Sequence, residues 1–189
     1  LVTNNANGCA KEVSVTVNEN MTPPEADAGP EKELNCYHPT QQLSGSGSTG
    51  SNFIKQWTAN PGNISSGGNT YNPTVNQPGT YTLLVTNNAN GCTATSEVTV
   101  TSNFATPVAQ IAPPGIVNCY TPEIELDASG STGSNLQFNW STANGNITGG
   151  GGSANPTVNQ AGTYKVTVTD TESGCTSTAQ VAVTSNLVL

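Results

Sequence analysis

The chain has 189 residues, only 8% of them charged, and a formal net charge of −8 from 12 acidic and 4 basic side chains. So few scattered cations exclude nucleic-acid binding, which needs clustered Lys and Arg to displace counterions. They equally exclude docking on anionic membranes, and no stretch is apolar and long enough to cross a bilayer.

The sequence repeats itself at an offset of 83 residues, without a gap. Asn35-Cys36-Tyr37 returns as Asn118-Cys119-Tyr120, Trp57 as Trp140, and Asn72 to Gln77 letter for letter as Asn155 to Gln160. Gly79-Thr80-Tyr81 returns as Gly162-Thr163-Tyr164, and Leu1 to Cys9 fall on Leu84 to Cys92. Three units follow: residues 1–20 as the closing hairpin of a preceding repeat, 21–103 as repeat 1 and 104–189 as repeat 2. The polypeptide is expected to continue upstream of residue 1.

The first element in chain order is the hairpin Leu1 to Val17, with an inward row of Val2, Val13, Val15 and Val17. A lone hairpin is marginal in water, so its order requires a covering sheet, expected from the upstream part of its own domain. Next come Asn18 to Pro30, with Pro23 and Pro24, which predict a stiff spacer. Phe53, Lys55 and Trp57 alternate as a strand. Tyr81, Leu83 and Val85 then alternate with Thr82, Leu84 and Thr86, which is a half-buried strand with a solvated face. The turn Asn87 to Gly91 leads to a return strand over Cys92 to Thr101, with Val98 and Val100 inward. A second proline-rich spacer spans Ser102 to Pro114. Repeat 2 predicts the same elements from Leu136, Phe138 and Trp140, from Tyr164, Val166 and Val168, and from Val181 and Val183. Gly91 and Gly174 sit where each hairpin needs positive φ. No segment has a helical period. The fold class is therefore all-β, tandem Ig-like sandwiches in an elongated rod, with Trp57, Trp140, Tyr81 and Tyr164 as core residues.

Five cysteines are unequal to any even framework until the repeat is applied. Cys36 and Cys92 are 56 residues apart, as are Cys119 and Cys175. This predicts one intradomain disulfide per repeat, each stabilising its domain by about 4 kcal/mol through loop closure. Reduced structural thiols are the alternative. Cys9 matches Cys92, so its partner is expected upstream of residue 1. A zinc site is disfavoured, since the cysteines are widely spaced and the single histidine, His38, has no counterpart in repeat 2.

Catalytic chemistry finds no support. Asp27, Asp127 and Asp170 fall opposite Gln110, Ser44 and Asn87, and His38 has no evident partner for a serine nucleophile. Calcium needs converging oxygen ligands, and no Asp-x-Asp-x-Asp spacing occurs; Glu31, Glu33, Glu123 and Glu125 read as solvated surface acids. Sugar stacking would use exposed rings, but Trp57 and Trp140 read as one core Trp per sandwich, packed near the disulfide. Tyr71, opposite Ala154, is better placed for a surface role. No enzyme, metal or cofactor is expected.

Ala26-Asp27-Ala28-Gly29-Pro30, Leu43-Ser44-Gly45-Ser46-Gly47-Ser48, Trp57 and Pro78-Gly79-Thr80-Tyr81 resemble the PKD (polycystic kidney disease) domain, an Ig-like sandwich. With Asn35-Cys36 and Asn90-Gly91-Cys92, the chain resembles the PKD-like repeats of giant Bacteroidetes cell-surface adhesins, including those of gliding motility. It departs after the core Trp, where Trp57-Thr58-Ala59-Asn60-Pro61-Gly62 replaces the acidic loop usual in PKD domains. The resemblance implies an extracellular, cell-surface stalk or filament whose partners are neighbouring repeats, with surfaces, glycans or other surface proteins as further partners. The alternatives are a glycan- or protein-binding module, using segments that differ between repeats (Phe53 to Gln56 and Asn69 to Tyr71), and a spacer attached to a secreted enzyme.

Overall fold

Period-two alternation decides the strands. In the computed structural model, which describes residues 1–49 and 52–187, Tyr81, Leu83 and Val85 line the buried face of the strand Gly79–Asn87. Tyr164, Val166 and Val168 do so on Gly162–Asp170. Gly50, Ser51, Val188 and Leu189, which fall within the predicted repeats, lie outside the described residues. Among the described residues there is no helix.

Repeat 1 packs two sheets face to face. The larger runs in the order Lys32–Asn35, Thr93–Asn103, Gly79–Asn87, Phe53–Asn60. The smaller runs Gln41–Gln42, Thr74–Val75, Ile64–Ser66. Leu34, Leu43, Trp57, Val75, Val98 and Val100 fill the space between them together with the buried row of Gly79–Asn87. Repeat 2 reproduces this with Leu136–Thr142, Gly162–Asp170 and Thr176–Val183, a short parallel pair Val117–Asn118 with Ser185–Asn186, and a smaller sheet of Ile124–Glu125, Thr157–Val158 and Ile147–Gly149. Each repeat thus has its own core. Val181 is only half-buried, unlike Val183.

One buried polar group recurs in both cores. The Tyr81 hydroxyl donates to the Gln77 carbonyl at 2.6 Å and accepts from the Asn63 N–H at 3.0 Å. Tyr164 makes the same two bonds, to Gln160 at 2.6 Å and from Asn146 at 2.9 Å. A fully buried ring is tolerated there because its polar end is satisfied.

Three expectations are corrected. The proline-rich segments are not free spacers: Pro24 and Ala28 are buried, as is Pro107. The Ala28 N–H donates to Ser96 Oγ, and Val108 bridges to Thr132. Both segments therefore pack onto the sandwich that follows them instead of standing clear of it.

The N-terminal hairpin keeps only its tip. Its strands are Val2–Thr3 and Ala10–Lys11, two paired residues where the equivalent hairpin of repeat 1 pairs eight. Val13, Val15 and Val17 are exposed. With no second sheet against it, the apolar row gains nothing by extending the ladder.

The intradomain disulfides are overturned. Lys32–Asn35 runs parallel to the end of the closing strand, with Asn35 opposite Asn103. Cys36 therefore lies at the finish of Thr93–Asn103, whereas Cys92 precedes its start. Those ends are about 33 Å apart at the usual rise of a strand, far beyond disulfide reach. Cys36 is instead bonded to Cys175, across the two repeats, with Cα atoms 5.0 Å apart. The parallel pairing of Asn118 with Asn186 separates Cys119 from Cys175 in the same way. Cys9, Cys92 and Cys119 are free thiols.

Candidate functional site

The place where the two repeats meet is built from a hairpin tip of repeat 2 and the edge of repeat 1. The tip, Asp170 to Cys175, is shaped by its own backbone. The Asp170 N–H donates to the Cys175 carbonyl at 2.9 Å, and the Gly174 N–H to the Asp170 carbonyl at 2.8 Å. Gly174 has φ +71°, in the left-handed region that glycine supplies without steric cost.

The Asp170 carboxylate holds the tip from below. It accepts the N–H groups of Ser173 at 3.0 Å and Glu172 at 3.0 Å through Oδ1, and that of Ser134 at 2.9 Å through Oδ2. These backbone donors, Ser173 first and then Ser134, hold its pKa below the usual carboxylate value against the opposing effect of burial. Repeat 1 has Asn87 here, whose Oδ1 accepts the Ala89 N–H at 2.9 Å.

Three contacts carry the tip onto repeat 1. The Cys36–Cys175 bond is the first. The Cys36 N–H donates to the Ser173 carbonyl at 2.8 Å, and the Gly174 backbone lies flat against the Tyr37 ring. A Cβ at Gly174 would come within 2.4 Å of the Tyr37 ring carbons, so only glycine permits the approach without a shift of the ring. Ser173, fully buried, also donates through Oγ to the Ala105 carbonyl at 2.7 Å, clasping the connecting segment. The joint is thus fixed covalently, by hydrogen bonds and by ring packing at once.

Repeat 1 carries the same tip with the same internal bonds: Asn87 N–H to Cys92 O, and Gly91 N–H to Asn87 O, both at 2.8 Å. Asn90 Nδ2 donates to the Thr22 carbonyl at 3.0 Å, which is the register equivalent of Ser173 on Ala105. The N-terminal tip repeats the pattern once more, with Asn4 N–H to Cys9 O at 2.7 Å and Gly8 N–H to Asn4 O at 2.8 Å. The tip is therefore a local structure that forms without a partner. Tyr37, Ser173, Gly174 and Ala105 were not singled out as joint residues from sequence, although Gly-Cys recurring at all three tips was a legible signal.

The remaining candidates have structural roles. Trp57 and Trp140 are 4% and 5% exposed, and their indole N–H groups donate to the carbonyls of Thr70 and Ser153. No disulfide lies within either sandwich to pack against them. Asp27 and Asp127 accept the N–H of Gly29 and Ser129, each bracing a turn. The segments that differ between repeats do meet: Lys55 Nζ stands 3.7 Å from the centroid of the Tyr71 ring. One face of that ring is thereby taken by a cation rather than offered to a sugar. Among the described residues no three His, Cys, Asp or Glu side chains converge.

No protein-family model matches the chain, and no curated protein matches it. Solved structures do. The chain is similar to an I-band fragment of titin, with 14% identity over 89% of this chain and 67% of that one, at a TM-score of 0.45. It is similar to the PKD domain of the KIAA 1837 protein, with 22% identity over 49% of this chain and 96% of that one, at a TM-score of 0.33. It is also similar to the human desmocollin-1 ectodomain, with 15% identity over 89% of this chain and 38% of that one, at a TM-score of 0.34. These likenesses concern the fold, an all-β Ig-like sandwich.

Proposed function

We propose that this chain is a structural segment of a secreted, cell-surface adhesin, a disulfide-locked stalk that carries load between a surface and whatever the protein holds. The observation behind this reading is that the disulfide joins the two repeats instead of closing either one. A bond within a domain stabilises a fold, whereas a bond between domains also fixes a joint and changes the path of force. Tension applied along the chain enters at Cys36 and leaves at Cys175, bypassing the 139-residue separation between them. Most of both cores and the connecting segment are then shielded.

Disulfides persist in oxidising compartments, which supports an extracellular place. A hydrated surface of Ser, Thr, Asn and Gly suits a spacer that must not stick to its neighbours. The PKD-like sequence features point the same way, to surface adhesion and, within that resemblance, to gliding motility.

Single-molecule stretching from the two termini tests the reading. The oxidised chain should release little length, while reductant should free 139 more residues, about 480 Å at the extended spacing of a polypeptide. Equal extension with and without reductant would refute the load-bypass role.

A further inference from the structure

The joint between the repeats is held by two covalent links. The first is the chain itself. The last strand of repeat 1 ends at Asn103, and the Ala105 carbonyl is already held by the Ser173 hydroxyl of repeat 2, so the pivot is Phe104. The second link is Cys36–Cys175. Among the described residues, one hydrogen bond between the repeats accompanies them, from the Cys36 N–H to the Ser173 carbonyl, together with the contact of the Tyr37 ring with Gly174. No β-ladder crosses the joint among the described residues, and the two hydrophobic cores are separate. Domains that share no large apolar interface move relative to one another. One tether leaves twist and swing free, and a second removes them.

The bond is unevenly exposed. Cys175 is 3% exposed, whereas Cys36 lies at the surface. In thiol–disulfide exchange a thiolate attacks one of the two sulfurs, and access decides which. Here access favours Cys36. The Cys175 sulfur is then the leaving group. It stands 3.9 Å from the Ser173 carbonyl, which can accept its S–H once it is protonated. No disulfide lies inside either sandwich, so opening this one removes no cross-link from within a core.

We infer that Cys36–Cys175 is a redox latch on the joint. Oxidised, it holds the two repeats as one rigid unit. Opened by a small dithiol at the Cys36 sulfur, it leaves two folded repeats hinged at Phe104. A thiolate of the dithiol bonds to Cys36 Sγ, the Cys36–Cys175 bond breaks, and the electron pair leaves on Cys175 Sγ, which takes a proton. The second thiolate of the dithiol then attacks its own sulfur in the mixed disulfide. That step releases Cys36 as a thiol and the reductant as a cyclic disulfide, so two electrons and two protons pass to the protein. The inference rests on the stalk reading and adds that the stiffness of the stalk is set by redox state.

The test uses the full oxidised chain with its free thiols capped by iodoacetamide, so that no other sulfur can exchange. Small-angle X-ray scattering is recorded before and after dithiothreitol, with tryptophan emission followed alongside. The distance distribution should be narrow before reduction and broad after it, while the emission of Trp57 and Trp140 stays unchanged. Cys36→Ser should give the broad distribution without reductant. Brief exposure to glutathione followed by peptide mapping should place glutathione on Cys36 and not on Cys175. Scattering that reduction leaves unaltered would overturn the latch while the stalk reading stands. A shift of tryptophan emission on reduction would overturn it too, because the bond would then hold the folds and not the joint. Glutathione on Cys175 would overturn the directed attack. A broad distribution in the oxidised chain would sink the latch and the stalk reading together.

Discussion

Replacing Cys175 by Ser should cost both repeats stability, because the bond it breaks belongs to both. The loop that Cys36–Cys175 closes spans 139 residues. Its closure entropy corresponds to about 5 kcal/mol at 25 °C. If repeat 1 unfolds alone, the tethered segment runs only from Cys36 to the first buried residue of repeat 2, Pro107. The logarithmic dependence lowers the figure only to about 4 kcal/mol. With a denaturant slope of about 2 kcal/mol per M urea, the unfolding midpoints should fall by roughly 2 M. Each repeat holds one tryptophan, Trp57 or Trp140, so Trp57→Phe and Trp140→Phe backgrounds let fluorescence follow the repeats separately. The decisive form is a double-mutant cycle. Cys36→Ser, Cys175→Ser and the double variant should lose the same amount, since the first substitution already removes the bond. Cys92→Ser and Cys119→Ser should leave the midpoints unmoved. Additive losses at Cys36 and Cys175, or a loss at Cys92 equal to that at Cys36, would refute the inter-repeat pairing.

Other expectations are read more simply. Tyr164→Phe orphans the Asn146 N–H and the Gln160 carbonyl inside the core, and should destabilise repeat 2 by about 1–3 kcal/mol in urea denaturation; an unchanged midpoint would mean water replaces the hydroxyl. Trp140→Ala empties the centre of the same core and strands the Ser153 carbonyl, so a loss of about 3–5 kcal/mol is expected, and a loss below about 1 kcal/mol would place the ring at the surface. Asp170 and Asp127 are held below the ordinary carboxylate pKa by hydrogen bonds, from Ser173 and Ser134 in one case and Ser129 in the other. Their stabilisation is complete above the unfolded-state pKa of about 4 and is lost as pH falls through the lower folded-state values. Repeat 2 should therefore weaken more steeply than repeat 1 on acidification below about pH 4, where Asn87 and Ser44 cannot titrate. Asp170→Asn with Asp127→Ser should remove the difference; parallel acid profiles in the unsubstituted chain would contradict the assignment.

Much of the fold was legible in the residues. Alternating Tyr81-Leu83-Val85 and Tyr164-Val166-Val168 dictate half-buried strands, because side chains on a strand change face at every step. Gly91 and Gly174 mark the turns that need positive φ. The repeat offset alone fixes which residues are equivalent, down to the paired tyrosine hydroxyls.

Equivalence, however, does not say which copy supplies a partner. Cys36 with Cys92 and Cys36 with Cys175 both join the first cysteine of a repeat to the second cysteine of some repeat, and the two choices differ by one repeat length. Only the parallel pairing of Lys32–Asn35 with Val100 to Asn103 decides between them. It sets Cys36 at the finish of a strand that Cys92 precedes, and brings it to the tip of the neighbouring repeat. The proline-rich segments were misjudged for a related reason. Composition marked them as extended, and extended backbone serves equally as a spacer or as a strap packed on a sandwich. Burial of Pro24 and Pro107 shows that these segments pack onto the sandwiches. Local periodicity is a property of neighbours in sequence, whereas the joint is made by residues 139 positions apart, and only the arrangement of the sheets brings those together.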